Sequence, residues 1–205
     1  MGNSNDRIET MSLYQRLLLL PVLALALVSC AGHRMYINEE ADFGYYEKIG
    51  VLPFSNLSSD RTASEKVTSS FLTEILVGSR VEIANMGDLL KVYRDVVKDE
   101  RFNLPEQLSA EETQAIGKVA NLQGLLVGTV RDYGMIRSGQ TDFPLVSILV
   151  RFLDCKSGKV VWSYEITRKG GPKFPVFSFG ETHTLGDMTA KVCREAAAAF
   201  LGTLK

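Results

Sequence analysis

Histidine, tryptophan and cysteine are scarce in this chain of 205 residues, which holds two His, one Trp and three Cys. With so few metal-capable side chains, and none at Cys/His spacing, a zinc module is excluded. A Walker loop, a Gly-x-Ser-x-Gly elbow and a dinucleotide fingerprint after a strand are also missing, which removes the usual signatures of nucleotide binding and serine hydrolysis. An excess of either charge is lacking too, since 23 Lys and Arg face 24 Asp and Glu for a net charge of −1. Nucleic-acid binding calls for a concentrated basic footprint, and adhesion to anionic lipid calls for clustered Lys and Arg. Composition therefore supports neither. What is present is a 45% hydrophobic, 23% charged chain, the balance of one soluble core.

The longest apolar run lies near the start. Residues 11 to 30 begin Met-Ser-Leu-Tyr-Gln-Arg16, then run thirteen residues without charge from Leu17 to Ser29, as a secretory n-region and h-region do. As a helix that run spans about 20 Å, short of the roughly 30 Å hydrocarbon core, so a permanent span is disfavoured. It closes on Leu27-Val28-Ser29-Cys30, which resembles the lipobox of bacterial lipoproteins. In those proteins the Cys becomes the first mature residue and carries diacylglycerol and usually a further acyl chain, and two chains anchor durably where one does not. The resemblance implies cleavage after residue 29, lipid on Cys30 and no other cofactor. Ala31 stands where an Asp would favour inner-membrane retention, so the outer membrane is expected, with the domain facing the periplasm. Asp6 and Glu9 precede Arg16, unusual in an n-region, and Met11 opens a cleaner leader. The leader holds two basic and two acidic residues, so removing it leaves the charge balance unchanged.

Residues 30 to 46 lack a sustained period and are expected to be a poorly ordered tether, followed by one domain over 47 to 205. Lys48 to Phe54 is a short apolar strand bounded by Pro53 and the turn cluster Asn56 to Asp60. Thr62 with Glu65 fits a capping box for a helix facing Val67, Phe71, Leu72, Ile75 and Leu76 inward and ending at Gly78. Val81 to Ala84 suggests a second strand, and Asp88 to Val97 a second helix. Ser109 with Glu112 opens a third helix through Ala120, packing Ile116, Val119 and Ala120. Gly124 to Tyr133 and Phe143 to Asp154 carry Val and Leu on both faces, as central strands do. Lys159 to Arg168 alternates, with Val160, Trp162, Tyr164 and Ile166 on one face and Ser163, Glu165 and Thr167 on the other. The residues Asp154 to Gly158 form the hairpin loop between these last two strands. Thr184 and Asp187 cap a final helix holding Leu185, Met188, Val192, Ala196, Phe200 and Leu204 on one face. The fold class is thus α/β: a mixed β-sheet of about five strands with helices packed on it.

Chemistry is hard to find. His33 lies in the tether and His183 beside a helix start. Asp132, Asp154 and Glu165 sit on different strands, and isolated surface acids are the common case. Gly124 and Gly128 fall within a strand, where close packing explains them better than phosphate binding. Trp162 belongs to the alternating strand, so core packing is its default. Cys155 and Cys193 could pair in an oxidising periplasm, although Cys193 adjoins an apolar helix face and suits a buried free thiol. No enzyme is expected. One segment stands out: Gly170 to Glu181 carries Phe174, Phe177 and Phe179 with two prolines. It either covers the core or offers apolar surface to a partner.

Three stretches carry a wider resemblance: Ile49-Gly-Val-Leu-Pro-Phe-Ser-Asn56, Ala115-Ile-Gly-Lys-Val-Ala-Asn-Leu-Gln-Gly-Leu-Leu-Val-Gly-Thr-Val130, and Val150-Arg-Phe-Leu-Asp-Cys-Lys-Ser-Gly-Lys-Val-Val-Trp-Ser163. Over residues 47 to 170 the chain is similar to envelope lipoproteins related to the curli-secretion channel subunit (CsgG-like) and to LpoB-like activators of penicillin-binding proteins. The resemblance implies a periplasmic α/β domain that works by contact with another envelope component, a peptidoglycan synthase or a secretion component. Homo-oligomerisation stays open. A membrane-spanning hairpin needs strands of about 9 to 11 residues. The connection from Gly134 to Asp142 and the segment after Gly170 are both too short to cross and return, a departure from the channel members.

Overall fold

Antiparallel pairing of the last three strands sets the sheet, and a computed structural model shows how the rest builds onto it. Residues 33–98, 108–171 and 182–204 are described. The strands are β1 (His33–Ile37), β2 (Lys48–Val51), β3 (Ser55–Asn56), β4 (Glu82–Ile83), β5 (Gly124–Ser138), β6 (Thr141–Asp154) and β7 (Val160–Lys169). The helices are α1 (Ala63–Gly78), α2 (Met86–Val97), α3 (Ala110–Ala120) and α4 (Leu185–Leu201). Strand order is β1-β7-β6-β5-β2-β4, with β3 also beside β5. The strands β1, β7, β6 and β5 run antiparallel to their neighbours, while β2, β3 and β4 join in parallel. The mixed α/β architecture is the expected one, with β1 and β3 added to the five expected strands.

Each face of the sheet has its own core. On the first face α1 and α4 bury Val67, Phe71, Ile75, Val192, Ala196 and Phe200 against Leu126, Ile148, Phe152 and Trp162. Trp162 meets Phe200 edge to face at 5.2 Å between ring centroids, and Phe152 lies 4.8 Å from Phe200, the tilted geometries aromatic rings favour. On the second face α2 and α3 cover Leu52, Leu125, Val127 and Leu153 with Leu89, Tyr93 and Ile116. The two strand glycines permit this packing. A Cβ on Gly128 would stand 2.5 Å from the Phe54 ring, and one on Gly124 would stand 2.1 Å from Phe152.

Helix ends follow local chemistry with one exception. Ser109 and Glu112 form both halves of the capping box, Asn85 accepts from Gly87 and Asp88 N–H, and Thr184 accepts from Asp187 N–H. Thr62 makes no side-chain cap. Its hydroxyl and N–H both donate to Asp60, at 2.7 and 2.8 Å, so the hydroxyl is turned away from the first helical turn. Those bonds also hold the Asp60 carboxyl below its usual range.

Several expectations are corrected. Residues 33–46 are no tether in the structure: β1 pairs along its whole length with β7, His33 to Ile166 and Ile37 to Trp162, and Tyr46 is buried. A strand this short gives little period to read, and backbone pairing rather than side-chain burial holds it. The connection from Gly134 to Asp142 is strand rather than loop, since β5 and β6 continue to a two-residue turn at Gly139 and Gln140. Gly139 takes φ 67°, as the first position of a type II′ hairpin turn demands. Leu76 and Val119 are exposed, at 58% and 64%, because each stands roughly 100° round its helix from the buried stripe of Phe71 and Ile75 or of Ile116 and Gly117. Val160 packs on the second face, because a bulge opposite Phe152 and Leu153 makes Val161 the extra residue and flips the alternation.

Candidate functional site

No group of three His, Cys, Asp or Glu able to hold a metal exists among the described residues, and no described helix is long and apolar enough to cross a membrane. The three acids do not gather. Asp132 stands opposite Ser147, Glu165 opposite Leu149, and Asp154 at the far end of β6 opposite Gly124. Glu165 instead pairs with Arg131, and Asp154 accepts from the Tyr46 hydroxyl at 3.5 Å. Burial, then the Asp154 charge, raises the Tyr46 pKa. Trp162 is fully buried and serves the core. Cys155 and Cys193 are free and lie in the cores on opposite faces. The sheet between them keeps their Cα atoms beyond the roughly 7 Å a disulfide spans. Burial pushes both thiols up to about 12.

What the fold leaves open is surface. The helices α2 and α3 stop at β5 and the end of β6, so no described helix covers the second face of β6, β7 and β1. The register aligns Tyr36, Ser163 and Arg151 in one row across it and Arg34, Glu165 and Leu149 in the next. Leu149 is nonetheless 7% exposed, flanked on its strands by Arg131 and Arg151, whose long stems can lie over apolar neighbours. On the first face a cleft of about 740 Å³ opens between the starts of α1 and α4, lined by Lys66, Tyr133 and Thr189. The Lys66 ammonium lies 5.5 Å from the Tyr133 ring centre, and the Thr189 hydroxyl donates to the Tyr133 oxygen at 3.3 Å.

One end of the sheet gathers the remaining features. The last residue of β7 and the β5–β6 hairpin arm lie there, because Lys169 pairs with Leu145, and the first residue of β1 stands three residues short of it, level with Ile166 and Ile148. Past that last β6–β7 pair the arm has four residues per strand, about 13 Å, still too short to span a bilayer. Gly170 N–H closes this end on Pro144 O at 2.7 Å. Cys30 and Phe174, Phe177 and Phe179 lie outside the described residues. Reading the sequence missed the exposed apolar side chains Met35, Tyr36 and Ile37 along β1 and Met135 on the arm. The signal for the arm was Gly139 between two β-prone runs; β1 offered only five residues.

No family model and no curated protein matches the chain by sequence. Among solved structures it is similar to the PelC dodecamer from Paraburkholderia phytofirmans, at 18% identity and a TM-score of 0.52 over 82% of this chain and 95% of that one. A variant of the same dodecamer gives 16% identity and a TM-score of 0.54 over 82% and 97%. The LpoB C-terminal domain from Salmonella enterica gives 10% identity and a TM-score of 0.45 over 64% and 87%. The PelC likeness places the chain in a shared α/β fold.

Proposed function

We propose that this chain is a lipid-anchored protein of the bacterial cell envelope, held in the outer membrane through Cys30, that works without catalysis by binding another envelope protein. The role is that of an assembly factor or, in the LpoB manner, an activator of a cell-wall synthase. One observation carries the reading: Leu27-Val28-Ser29-Cys30 closes a thirteen-residue uncharged run and stands two residues before the folded unit. The uncovered half of the second sheet face and the scattered acids support contact over chemistry. Expression in a Gram-negative host, wild type beside Cys30→Ala, tests it by intact mass and membrane partition. Acyl mass on residue 30 with membrane binding lost in the variant is expected, and proximity labelling then recovers the partner. Two soluble, unmodified proteins would sink it.

A second reading, an oligomeric structural or secretion-associated lipoprotein, is favoured by the fold likeness to the PelC dodecamers. Native mass in membrane-mimicking detergent separates the two, since a monomer at high concentration removes the oligomer.

A further inference from the structure

Among the described residues nothing pairs with the outer side of β1, the end of the strand order. Natural sheets guard such edges with lysine, proline, a bulge or a covering element, since an open row of N–H and C=O groups templates a further strand. Residues His33 to Ile37 carry none of these guards: all five are exposed, and their register with β7 is unbroken. Three of them are large and apolar, Met35 and Tyr36 at 52% and Ile37 at 37%. Which groups face out follows from one hydrogen bond. Asn38 N–H donates to Val161 O at 2.8 Å, and antiparallel pairs alternate between bonded and unbonded. Carried along the register, that phase turns the N–H and C=O of Tyr36 and Arg34 to Ser163 and Glu165, and those of Ile37, Met35 and His33 outward.

The outward groups are symmetric about Met35. A second β1, antiparallel and centred there, sets His33 against Ile37 and Met35 against Met35, and answers every outward N–H and C=O of both strands. Any other centre leaves residues of the strand unpaired. The side chains agree. Arg34 falls opposite Tyr36 of the second copy as an unbonded pair, whose side chains stand close, and a guanidinium over a phenol ring is favourable. A centre shifted to Arg34 would oppose two like charges. On the other face His33, Met35 and Ile37 of both copies come together, with His33 already stacked on Tyr164 at 5.6 Å. The helix α4 packs on β6 and β7, so two copies hold these helices about four strand spacings apart, roughly 19 Å. Packed helices sit at about 8 to 10 Å, so the two backbones meet without a clash between them. The opposite edge offers less, because β4 has only Glu82 and Ile83 and head-to-tail pairing would serve less than half of β1.

We propose that β1 is a self-association edge, which pairs antiparallel with the β1 of a second copy about a two-fold axis at Met35 and joins two sheets into one. The anchoring reading does not enter, since no residue before His33 is used. Five residues make a small contact, so the dimer is expected to build with concentration. The test follows the full chain in detergent by sedimentation over a concentration series, for wild type and Met35→Pro, with cross-linking of Met35→Cys and Tyr36→Cys. The Met35 N–H faces outward, so proline there spares the bonds to β7, as an edge position allows. It is expected to keep the wild-type thermal melt and to lose the dimer. Under mild oxidation Met35→Cys is expected to give a disulfide dimer, its Cα atoms about 5.5 Å apart across the axis. Tyr36→Cys is expected to give none, its Cα atoms standing about 8 Å apart. Wild type, which keeps Cys30, Cys155 and Cys193, is the blank. A wild type that stays monomeric throughout overturns the proposal, as does a dimer that survives in folded Met35→Pro. Cross-linking at 36 equal to that at 35 overturns it too, and if Met35→Pro unfolds the cross-links decide. A larger assembly that Met35→Pro leaves intact overturns it in favour of a head-to-tail ring.

Discussion

The two faces of the sheet are built from the same strands and are finished differently. On the first, α1 and α4 lie across the sheet from β2 to β7, and the residues they meet are large and dry: Phe54, Phe71, Phe152, Trp162 and Phe200 are each at 0% exposure. On the second, α2 and α3 close over β2, β5 and the end of β6, leaving a polar half studded with arginine. The comparison teaches where stability and contact are divided. The first face holds the fold, and half of the second is left uncovered by the described helices.

The strongest break of that comparison is Phe200→Ala, which empties the centre of the aromatic cluster on the first face. Loss of about 3 to 5 kcal/mol is expected, read by urea denaturation. Next comes alkaline pH, which probes one thiol on each face. The unfolded thiol loses its proton above about 9 while Cys193 and Cys155 keep theirs up to about 12, so the native state binds more protons and stability falls as pH rises through that window. Each thiol contributes a slope of about 1.4 kcal/mol per pH unit. Cys193→Ala should flatten the urea-derived stability profile above pH 9 by that amount, and a profile parallel to wild type would contradict the burial. Smaller again, Ser109→Ala removes the hydroxyl that accepts from Glu112 N–H in the α3 capping box and should cost about 1 kcal/mol. Smallest is Arg131→Ala on the uncovered half. Its ion pair with Glu165 is 40% and 32% exposed, so a change under about 1 kcal/mol is expected. A larger loss in thermal melts would mean that this half is integral to the core.

Much of the fold was legible because its signals are local. The Ser109 and Glu112 box, the Thr184 cap and the alternation of Trp162, Tyr164 and Ile166 each need only a few neighbouring residues. Legibility failed where a rival partner or a distant strand intervenes. Thr62 looked like a cap until Asp60 took its hydroxyl. The residue Val160 obeyed the alternation until a bulge across from Phe152 shifted it, and Val119 fitted an apolar helix spacing yet stands off the buried stripe of Ile116 and Gly117. For the proposed anchor, the motif at Cys30 is written in chain order alone. The β1 edge is not, since five exposed residues acquire meaning only when Ile166 to Trp162 stand beside them.

The sequence by itself determined the element types, the two central strands and the motif at Cys30, because periodicity, capping and targeting patterns are written in consecutive residues. Only the tertiary structure decided that Cys155 and Cys193 are parted by the sheet, that Asp132, Asp154 and Glu165 stay separate, and that β1 pairs along its length with β7. Each of these depends on which strands lie next to one another, and backbone pairing between residues as far apart as His33 and Ile166 sets that order.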